Sequence, residues 1–267
     1  MATYLDGILA AHRDRASRDS RRTDALVEQA TGMAPARGFR AALAGGDQLR
    51  VIAEVKRRSP SKGPLAVDLD PATLAVEYLA GGASCLSVLT DVDHFGGSAR
   101  DLAEARAAVP LPVLRKDFTV CANDVVDTRL MGADCVLLIA AALDDAELVD
   151  FASLAAHVGL DALVEIHDEA ELERALAALG AAGVAQALVG VNQRDLVTFQ
   201  VDQDRAVRVA GLMPANCVRV AESGVRGAHD AVALAAAGYH AVLVGEHLVT
   251  SGDPAAALAE LRVPLRS

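Results

Sequence analysis

The chain has 267 residues, of which 52% are hydrophobic and 23% charged, a balance typical of a folded globular protein and not of a disordered chain. Its net charge of −11 and its lack of Trp argue against a nucleic-acid-binding surface. No apolar run approaches the roughly 18 residues needed to cross a membrane, so the sequence predicts no membrane span.

The N-terminus and the cysteines indicate the compartment. The first residues, MATYLDGILAAHRDR, lack the basic start and apolar core of a secretory signal. The four cysteines (Cys85, Cys121, Cys135 and Cys217) form no C-x-x-C pair, and no histidine spacing suggests a metal site. These features predict a reducing cytoplasmic compartment and no structural metal.

Residues 1–46 differ in pattern from the rest of the chain. This difference predicts that residues 1–46 form an N-terminal helical extension packed on a catalytic domain of residues 47–267. Residues 10–30 are helical in composition and rich in Arg and Asp, and we interpret them as one solvated helix held by local ion pairs. Gly32, Pro35 and Gly38 interrupt this pattern, and residues 39–43 are predicted to form a second short helix.

From residue 47 onward, short apolar runs alternate with helical segments rich in Ala and Leu. The runs occupy residues 51–55, 85–90, 112–117, 135–140, 162–166, 187–192, 217–222 and 241–245. The helical segments include residues 71–80, 99–108, 125–131, 145–157, 168–179, 202–210 and 228–237. Continuously apolar strands that alternate with helices indicate a parallel sheet covered by helices. Eight such units predict an α/β fold of the (β/α)8 barrel class, and the lack of a G-x-G-x-x-G motif argues against a doubly wound sheet.

Polar and ionisable residues recur where the predicted strands end. Because active sites of (β/α)8 barrels form at the C-terminal ends of the strands, we expect these residues to converge. Glu54 and Lys56 lie two positions apart on the first strand and therefore point the same way. The other candidates are Ser59, Ser87, Phe95, Lys116, Asp117, Phe118, Leu137, Glu165, His167, Asn192, Arg194, Glu222, Ser223, Gly224, Gly245 and Glu246. Structural ion pairs alone do not explain so many ionisable groups at one end of the barrel.

Six motifs resemble those of the indole-3-glycerol phosphate synthase family. The first strand and its loop match the pattern E-x-K-x-x-S-P-S with Glu54, Lys56, Ser59, Pro60 and Ser61. The others are LSVLTDVDHFGGS (86–98), PVLRKDF (112–118), VEIHDE (164–169), GVNQRDL (190–196) and VAESGV (220–225). The combination is specific, and it covers nearly the whole predicted barrel.

The resemblance implies an enzyme of tryptophan biosynthesis. Such an enzyme converts 1-(o-carboxyphenylamino)-1-deoxyribulose 5-phosphate into indole-3-glycerol phosphate, CO2 and water without a cofactor or metal. By position, Lys116 resembles the family's catalytic lysine and general acid, and Glu165 its partner carboxylate. Glu54 and Lys56 resemble a second acid/base pair. The resemblance further implies that Asn192, Glu222 and Ser223 orient the substrate and that Phe95, Phe118, Leu89 and Leu137 surround its aromatic ring.

The predicted phosphate site follows from the loops after the last two strands. Ser223-Gly224 and Gly245-Glu246 flank the usual phosphate position of a barrel, where glycines let backbone N–H groups approach an anion. Ser59 adds a hydroxyl from the first loop. Many family members carry Ser at position 246, and a carboxylate facing the phosphate would repel it. We therefore expect Glu246 to bind through its backbone N–H with the side chain turned away.

Other interpretations of the same residues remain open at this point. Lys116 or Lys56 could be the Schiff-base nucleophile of an aldolase-type barrel, although a carboxylate-rich site opposes the lowered pKa that this needs. A paralogue that only binds a sugar phosphate is a second alternative. Asp117 could simply hold Lys116, His167 could be a helper, and Asp195 could cap a helix. We expect a monomer that binds a small sugar phosphate and associates at most weakly with other enzymes of the tryptophan pathway.

Overall fold

Eight parallel strands close into a barrel in the computed structural model, which describes residues 4–195 and 200–265. Including a two-stranded hairpin, the described residues contain ten strands. They are β1 (Arg50–Val55), β2 (Arg58–Ser59), β3 (Gly63–Pro64), β4 (Cys85–Leu89), β5 (Val113–Lys116), β6 (Cys135–Ile139), β7 (Asp161–Ile166), β8 (Leu188–Asn192), β9 (Val218–Glu222) and β10 (Ala241–Val244). β2 and β3 form a short antiparallel hairpin in the loop after β1. The other eight pair in chain order, and β10 pairs with β1 to close the circle. The predicted (β/α)8 barrel is confirmed.

Helices precede the barrel and alternate with its strands. They are α1 (Tyr4–Ser17), α2 (Thr23–Thr31), α3 (Phe39–Leu43), α4 (Pro71–Ala80), α5 (Val92–Phe95), α6 (Ala99–Ala108), α7 (Ala122–Leu130), α8 (Asp145–His157), α9 (Glu169–Ala181), α10 (Gln203–Ala210), α11 (Ala228–Ala236), α12 (Glu246–Val249) and α13 (Pro254–Ala259), with a 3-10 turn at Ala140–Ala142. Each predicted barrel helix is present within a few residues of its predicted bounds. Among the described residues, no helix has the length and apolar character needed to cross a bilayer.

Local sequence signals explain where these elements begin. Asp70 caps α4 by accepting a hydrogen bond from Thr73 N at 2.7 Å, and Pro71 follows at a position where a missing N–H costs little. Asp144 and Glu147 form a reciprocal capping box at α8. Asp202 caps α10, so Asp195 is not the cap of that helix, and whether it caps a turn stays untested because residues 196–199 lie outside the described residues. Every residue of β4 and β6 is buried, as expected of strands covered on both faces.

The N-terminal mouth of the barrel is closed by α3. Phe39 and Leu43 are fully buried and belong to the apolar cluster of the barrel interior that includes Ile52 and Leu243. Arg40 N donates to Asp161 Oδ2 at 2.8 Å, which fixes α3 to the first residue of β7. This end of the barrel is therefore filled by apolar side chains.

The prediction of one helix over residues 10–30 is wrong. The chain leaves the helical conformation after Ser17 and re-enters it at Thr23. The intervening turn is held against α7, because Arg21 Nη2 lies 2.7 Å from Asp127 Oδ2 and Asn123 donates to Asp19 at 2.9 Å. The charged residues of this turn therefore form ion pairs and hydrogen bonds with the barrel as well as the local ion pairs expected from the sequence. The domain boundary at residue 46 stays a prediction.

Candidate active site

A cavity of about 980 Å³ opens at the C-terminal mouth of the barrel. Every barrel strand contributes at least one residue to its wall. These residues are Glu54, Leu89, Lys116, Leu137, Ile139, Glu165, Asn192, Glu222, Leu243 and Val244, and Lys56 and Gly245 line the wall just beyond the ends of β1 and β10. Ser59, Phe95, Phe118, Arg194, Ser223, Gly224 and Glu246, from the loops that follow the strands, also line it. The convergence expected from sequence is therefore present, while the role of each residue remains to be proposed.

Lys116 lies between two buried carboxylates at the floor of the cavity. Its Nζ is 2.8 Å from Glu165 Oε2 and 3.6 Å from Glu222 Oε2. Asn192 Nδ2 donates to the other oxygen of Glu165 at 3.0 Å. Glu222 Oε1 is buried without a hydrogen-bond partner among the described residues. An acceptor left in this state is costly, and such groups are characteristic of functional sites.

The charges in this cluster follow from its geometry. Burial would lower the pKa of Lys116, but Glu165, Glu222 and Glu54 outweigh it and raise that pKa, so the ammonium is retained. Burial would raise the pKa of Glu165, but the charges of Lys116 and His167 lower it. Burial and the charge of Glu165 both raise the pKa of Glu222. The nearer carboxylate is thus ionised, and the farther one keeps its proton to a higher pH than an exposed glutamate does.

Two glycines provide the space that these charged groups occupy. Glu54 Oε2 and Lys56 Nζ form a second ion pair at 2.6 Å, as their shared strand face predicts. A Cβ at Gly245 would collide with Glu54 Oε2, and a Cβ at Gly190 would collide with Glu222 Oε1. Both glycines therefore permit a carboxylate to approach a neighbouring strand.

One side of the cavity is aromatic and apolar. The rings of Phe95 and Phe118 lie with their centroids 6.3 Å apart. Tyr4, Leu5 and Ile8 of α1 line the same cavity and were not identified from the sequence. Leu5 and Ile8 are three positions apart and share a helix face, which is a detectable but unspecific signal.

The opposite side offers backbone groups and cations. Ser223 adopts a positive φ of 66° and Gly224 one of 74°, and the strain at a non-glycine residue marks this turn as a functional candidate. Lys62 Nζ lies 3.8 Å from Glu246 Oε1, and Arg194 Nη2 lies 4.0 Å from Glu246 Oε2. Glu246 thus pairs with two cations at the cavity mouth. That it binds phosphate through its backbone N–H stays a prediction.

Three sequence predictions are placed differently by the structure. Ser87 is fully buried and does not line the cavity; it lies two residues before Leu89 on β4, one layer deeper on the same side of the strand. Asp117 pairs with Arg115 at 2.8 Å rather than with Lys116. His167 lies behind Glu165, with Nε2 3.7 Å from Glu165 Oε1, and does not line the cavity. Leu196, the last residue of GVNQRDL, lies outside the described residues.

Comparisons with known proteins find one family over nearly the whole chain. Residues 5–261 match the family model described as indole-3-glycerol phosphate synthase. The chain is 50% identical over 241 residues to "Indole-3-glycerol phosphate synthase" of Paenarthrobacter aurescens, covering 89% of this chain and 86% of that one. It is 50% identical over 257 residues to "Indole-3-glycerol phosphate synthase 1" of Streptomyces coelicolor, covering 96% and 92%.

Solved structures support the fold alone. The 3-hexulose-6-phosphate synthase from Salmonella typhimurium superposes with a TM-score of 0.61 at 13% identity, covering 80% of this chain and 96% of that one. Thiamine phosphate pyrophosphorylase from Pyrococcus furiosus gives a TM-score of 0.56 at 16% identity, covering 80% and 93%. Identities this low carry no information about activity.

Proposed function

The chain belongs to the indole-3-glycerol phosphate synthase family, and on that premise we propose how its side chains perform the reaction. The enzyme is a carbon–carbon lyase that closes the ring of 1-(o-carboxyphenylamino)-1-deoxyribulose 5-phosphate, releases CO2 and removes water. The observation that carries the assignment of roles is the Lys116 ammonium held between Glu165 and Glu222.

Lys116 is the general acid of ring closure. The ring carbon that bears the carboxylate attacks the ribulose ketone, and the ketone oxygen takes up a proton as it becomes an alcohol. A positioned ammonium supplies that proton and stabilises the negative charge that develops on the ketone oxygen. Glu165 and Asn192 hold Lys116 in place through the contacts described above, and loss of CO2 then restores the aromatic ring.

Glu222 returns a proton to Lys116. After the transfer to substrate, Lys116 is neutral, and the neutral carboxyl of Glu222 lies 3.6 Å away. The raised pKa of Glu222 keeps that proton available at pH 7, and the raised pKa of Lys116 makes the transfer favourable. Glu222 thus has a role beyond the orientation of substrate that the family resemblance implies.

The Glu54–Lys56 pair serves dehydration. This step needs an acid for the departing hydroxyl and a base for a ring proton, and one residue can hardly reach both positions. β1 supplies this pair, whereas Lys116 and Glu165 come from β5 and β7. The reaction therefore has a separate acid/base pair for each stage.

The two sides of the cavity orient the substrate. Phe95, Phe118, Leu89 and Leu137 match the apolar carboxyphenyl ring, and the turn at Ser223-Gly224 with Gly245 and Ser59 matches the phosphate. A Schiff-base aldolase is disfavoured because the carboxylates raise the pKa of Lys116, and a nucleophilic lysine needs a lowered one. A paralogue that only binds is disfavoured because each acid/base group lines one cavity.

We further propose a cytoplasmic monomer that needs no cofactor. The described residues of one chain bring every proposed acid/base group to one cavity, so the proposed chemistry calls on no residue of a partner. Cys85, Cys135 and Cys217 are buried free thiols, which suits a reducing compartment. Any association with other enzymes of the pathway would then be weak.

Turnover of the carboxyphenylamino-deoxyribulose phosphate tests this function, with indole fluorescence as the signal. The chain has no Trp, so its own emission interferes little. Rapid mixing with parallel detection of CO2 tests the division of roles. Glu54→Gln should release CO2 before indole appears in a single turnover, whereas Lys116→Met should slow both signals equally. CO2 and indole that stay in step for both variants would contradict the division, and no turnover by the unmodified chain would contradict the function.

A further inference from the structure

We propose that His12 and Asp91 form a buried pair that positions the aromatic wall of the cavity and thereby determines the affinity for the aryl group of the substrate. The proposal rests on the proposed function and adds two positioning residues that contact neither the reacting atoms nor the phosphate site. His12 is 2% exposed and Asp91 5%. His12 Nε2 lies 3.0 Å from Asp91 Oδ2, across 79 positions of sequence.

The neighbours of His12 fix its tautomer. Arg15 Nη2 lies 2.6 Å from His12 Nδ1. A guanidinium has only N–H donors, so Nδ1 must be the acceptor, and the ring proton is on Nε2. His12 Nε2–H therefore donates to Asp91. This arrangement links α1 to the loop after β4 through a directed hydrogen bond.

Asp91 links that hydrogen bond to Phe95. Its side chain caps α5, accepting from His94 N at 2.6 Å and from Phe95 N at 3.3 Å. Burial would raise the pKa of Asp91, but the hydrogen bonds from His12 and His94 lower it, so the carboxylate is charged. One carboxylate thus holds His12 on one side and the backbone of an aromatic wall residue on the other.

The ring of His12 contacts the second aromatic wall residue. It packs edge-on against Phe118, with centroids 5.3 Å apart and planes at 62°. Such a packing fixes the tilt of both rings. Phe118 also lies beside Phe95, so the pair contacts the ring of one of these two wall residues and the backbone N–H of the other.

The pair also positions the face of α1 that lines the cavity. Leu5, Ile8 and His12 lie three, then four, residues apart and share that face. Arg13 also ties α1 to the barrel, where it pairs with Glu147 at 2.8 Å in a more exposed location. Neither Arg13 nor Glu147 lines the cavity, so this tie lies away from the aromatic wall.

A metal site is a poorer explanation of the same cluster. His12, Asp91 and Asp117 present ligand atoms within 4.8 Å of one another. However, Arg115 Nη2 and the Phe118 N–H donate to Asp117, and Arg15 occupies the free nitrogen of His12. Two guanidinium groups this close already supply the positive charge that a metal would bring.

Ligand affinities of variants provide the test. The probes are the reduced substrate 1-(o-carboxyphenylamino)-1-deoxyribitol 5-phosphate, which carries ring and phosphate, and inorganic phosphate alone. The His12→Ala variant should bind the reduced substrate about 10-fold more weakly, as expected for loss of a buried hydrogen bond. Its inhibition by phosphate should be unchanged. His12→Gln, whose amide can donate from the position of Nε2, should recover part of the loss. Arg13→Gln removes the tie of α1 that lies away from the aromatic wall and should bind both probes like the unmodified chain.

Asp91→Asn separates the pair from the cap. Asn remains a good N-cap, but its amide N–H₂ cannot accept from His12, so the same selective loss is expected even if His12→Ala folds poorly. The proposal would be overturned if the variants bound both probes more weakly by the same factor, or if Arg13→Gln lost as much affinity for the reduced substrate. Either result would indicate a general effect of α1 docking. Unchanged affinities in all variants would also overturn it. Failure of the proposed function is distinguishable, because the unmodified chain would then show no turnover.

Discussion

The two mouths of the barrel are built on opposite principles. At the N-terminal mouth, Phe39 and Leu43 fill the opening, and the carboxylate of Asp161 is satisfied by the backbone of α3. At the C-terminal mouth, Lys116 is half-buried and Glu222 is buried, and one oxygen of Glu222 has no partner among the described residues. The same eight strands thus support a stable apolar plug at one end and a costly charged cluster at the other.

Burial of a side chain has different consequences at the two ends of the barrel. A buried apolar group contributes free energy of folding, whereas a buried charge requires specific partners. Substitutions at the N-terminal mouth should therefore change stability, and substitutions at the C-terminal mouth should change activity. Variants of each end can test this contrast.

The largest effect is expected from Lys116→Met. Loss of the general acid should lower kcat by at least ~10²-fold, with the fold intact and the melting temperature unchanged or lowered, because the buried carboxylate of Glu165 loses its charged partner. Steady-state turnover and thermal unfolding measure the two quantities. Lys62→Met carries the same change in net charge at the cavity mouth and should retain most activity. A Lys116 variant with near-normal turnover would remove this residue from the mechanism.

Phe39→Ala probes the opposite mouth. Deleting a buried aromatic ring should destabilise the protein by about 3–5 kcal/mol, because it leaves a cavity in the plug. The kcat per folded molecule should stay near that of the unmodified chain at a temperature where the variant remains folded. Denaturant unfolding and active-site-normalised turnover are the measurements. A large loss of kcat in the folded variant would show that the two ends are coupled.

The pH dependence of Glu222 gives a smaller effect. Its pKa is raised to about 8, so its proton, and the activity that uses it, should be lost as pH rises through that value. Its stabilising effect is complete below the unfolded pKa of about 4.3 and declines as pH rises towards the folded one. Glu222→Gln cannot titrate and should show a lower kcat without the decline near pH 8. A decline that persists in this variant would assign it to another group.

The smallest effect is expected at the rim of the charged mouth. Glu246 neutralises Lys62 and Arg194 there, and exposed pairs of this kind contribute about 0–1 kcal/mol. Glu246→Ser should free both cations and improve competitive inhibition by inorganic phosphate or sulfate about 2- to 5-fold. Weaker inhibition would mean that Glu246 supports the phosphate site instead of competing with it.

The sequence predicted the charged mouth better than its aromatic wall, for physical reasons. Parallel strands end on one edge, so Lys116, Glu165 and Glu222 could be brought together from their positions alone. The two-residue alternation of side chains along a strand showed the side of β4 to which Ser87 points. It did not show how deep in the barrel Ser87 lies. His12 and Asp91 lie 79 positions apart on different elements, and nothing local links them. The helix break after Ser17 was missed because it depends on contacts with α7 rather than on local propensity.

The N-terminal segment reaches both mouths of the barrel, and this has a consequence for synthesis on the ribosome. Phe39 is made early, yet it belongs to a buried cluster that includes Leu243, which is added about 200 residues later. At about 5–20 residues per second, the segment waits roughly 10–40 s for its binding surface. The many charged residues before Phe39, among them Arg18 and Arg22, keep the waiting segment hydrated while the barrel is incomplete. Only pairing of β10 with β1 completes the surface to which the first-made helices attach.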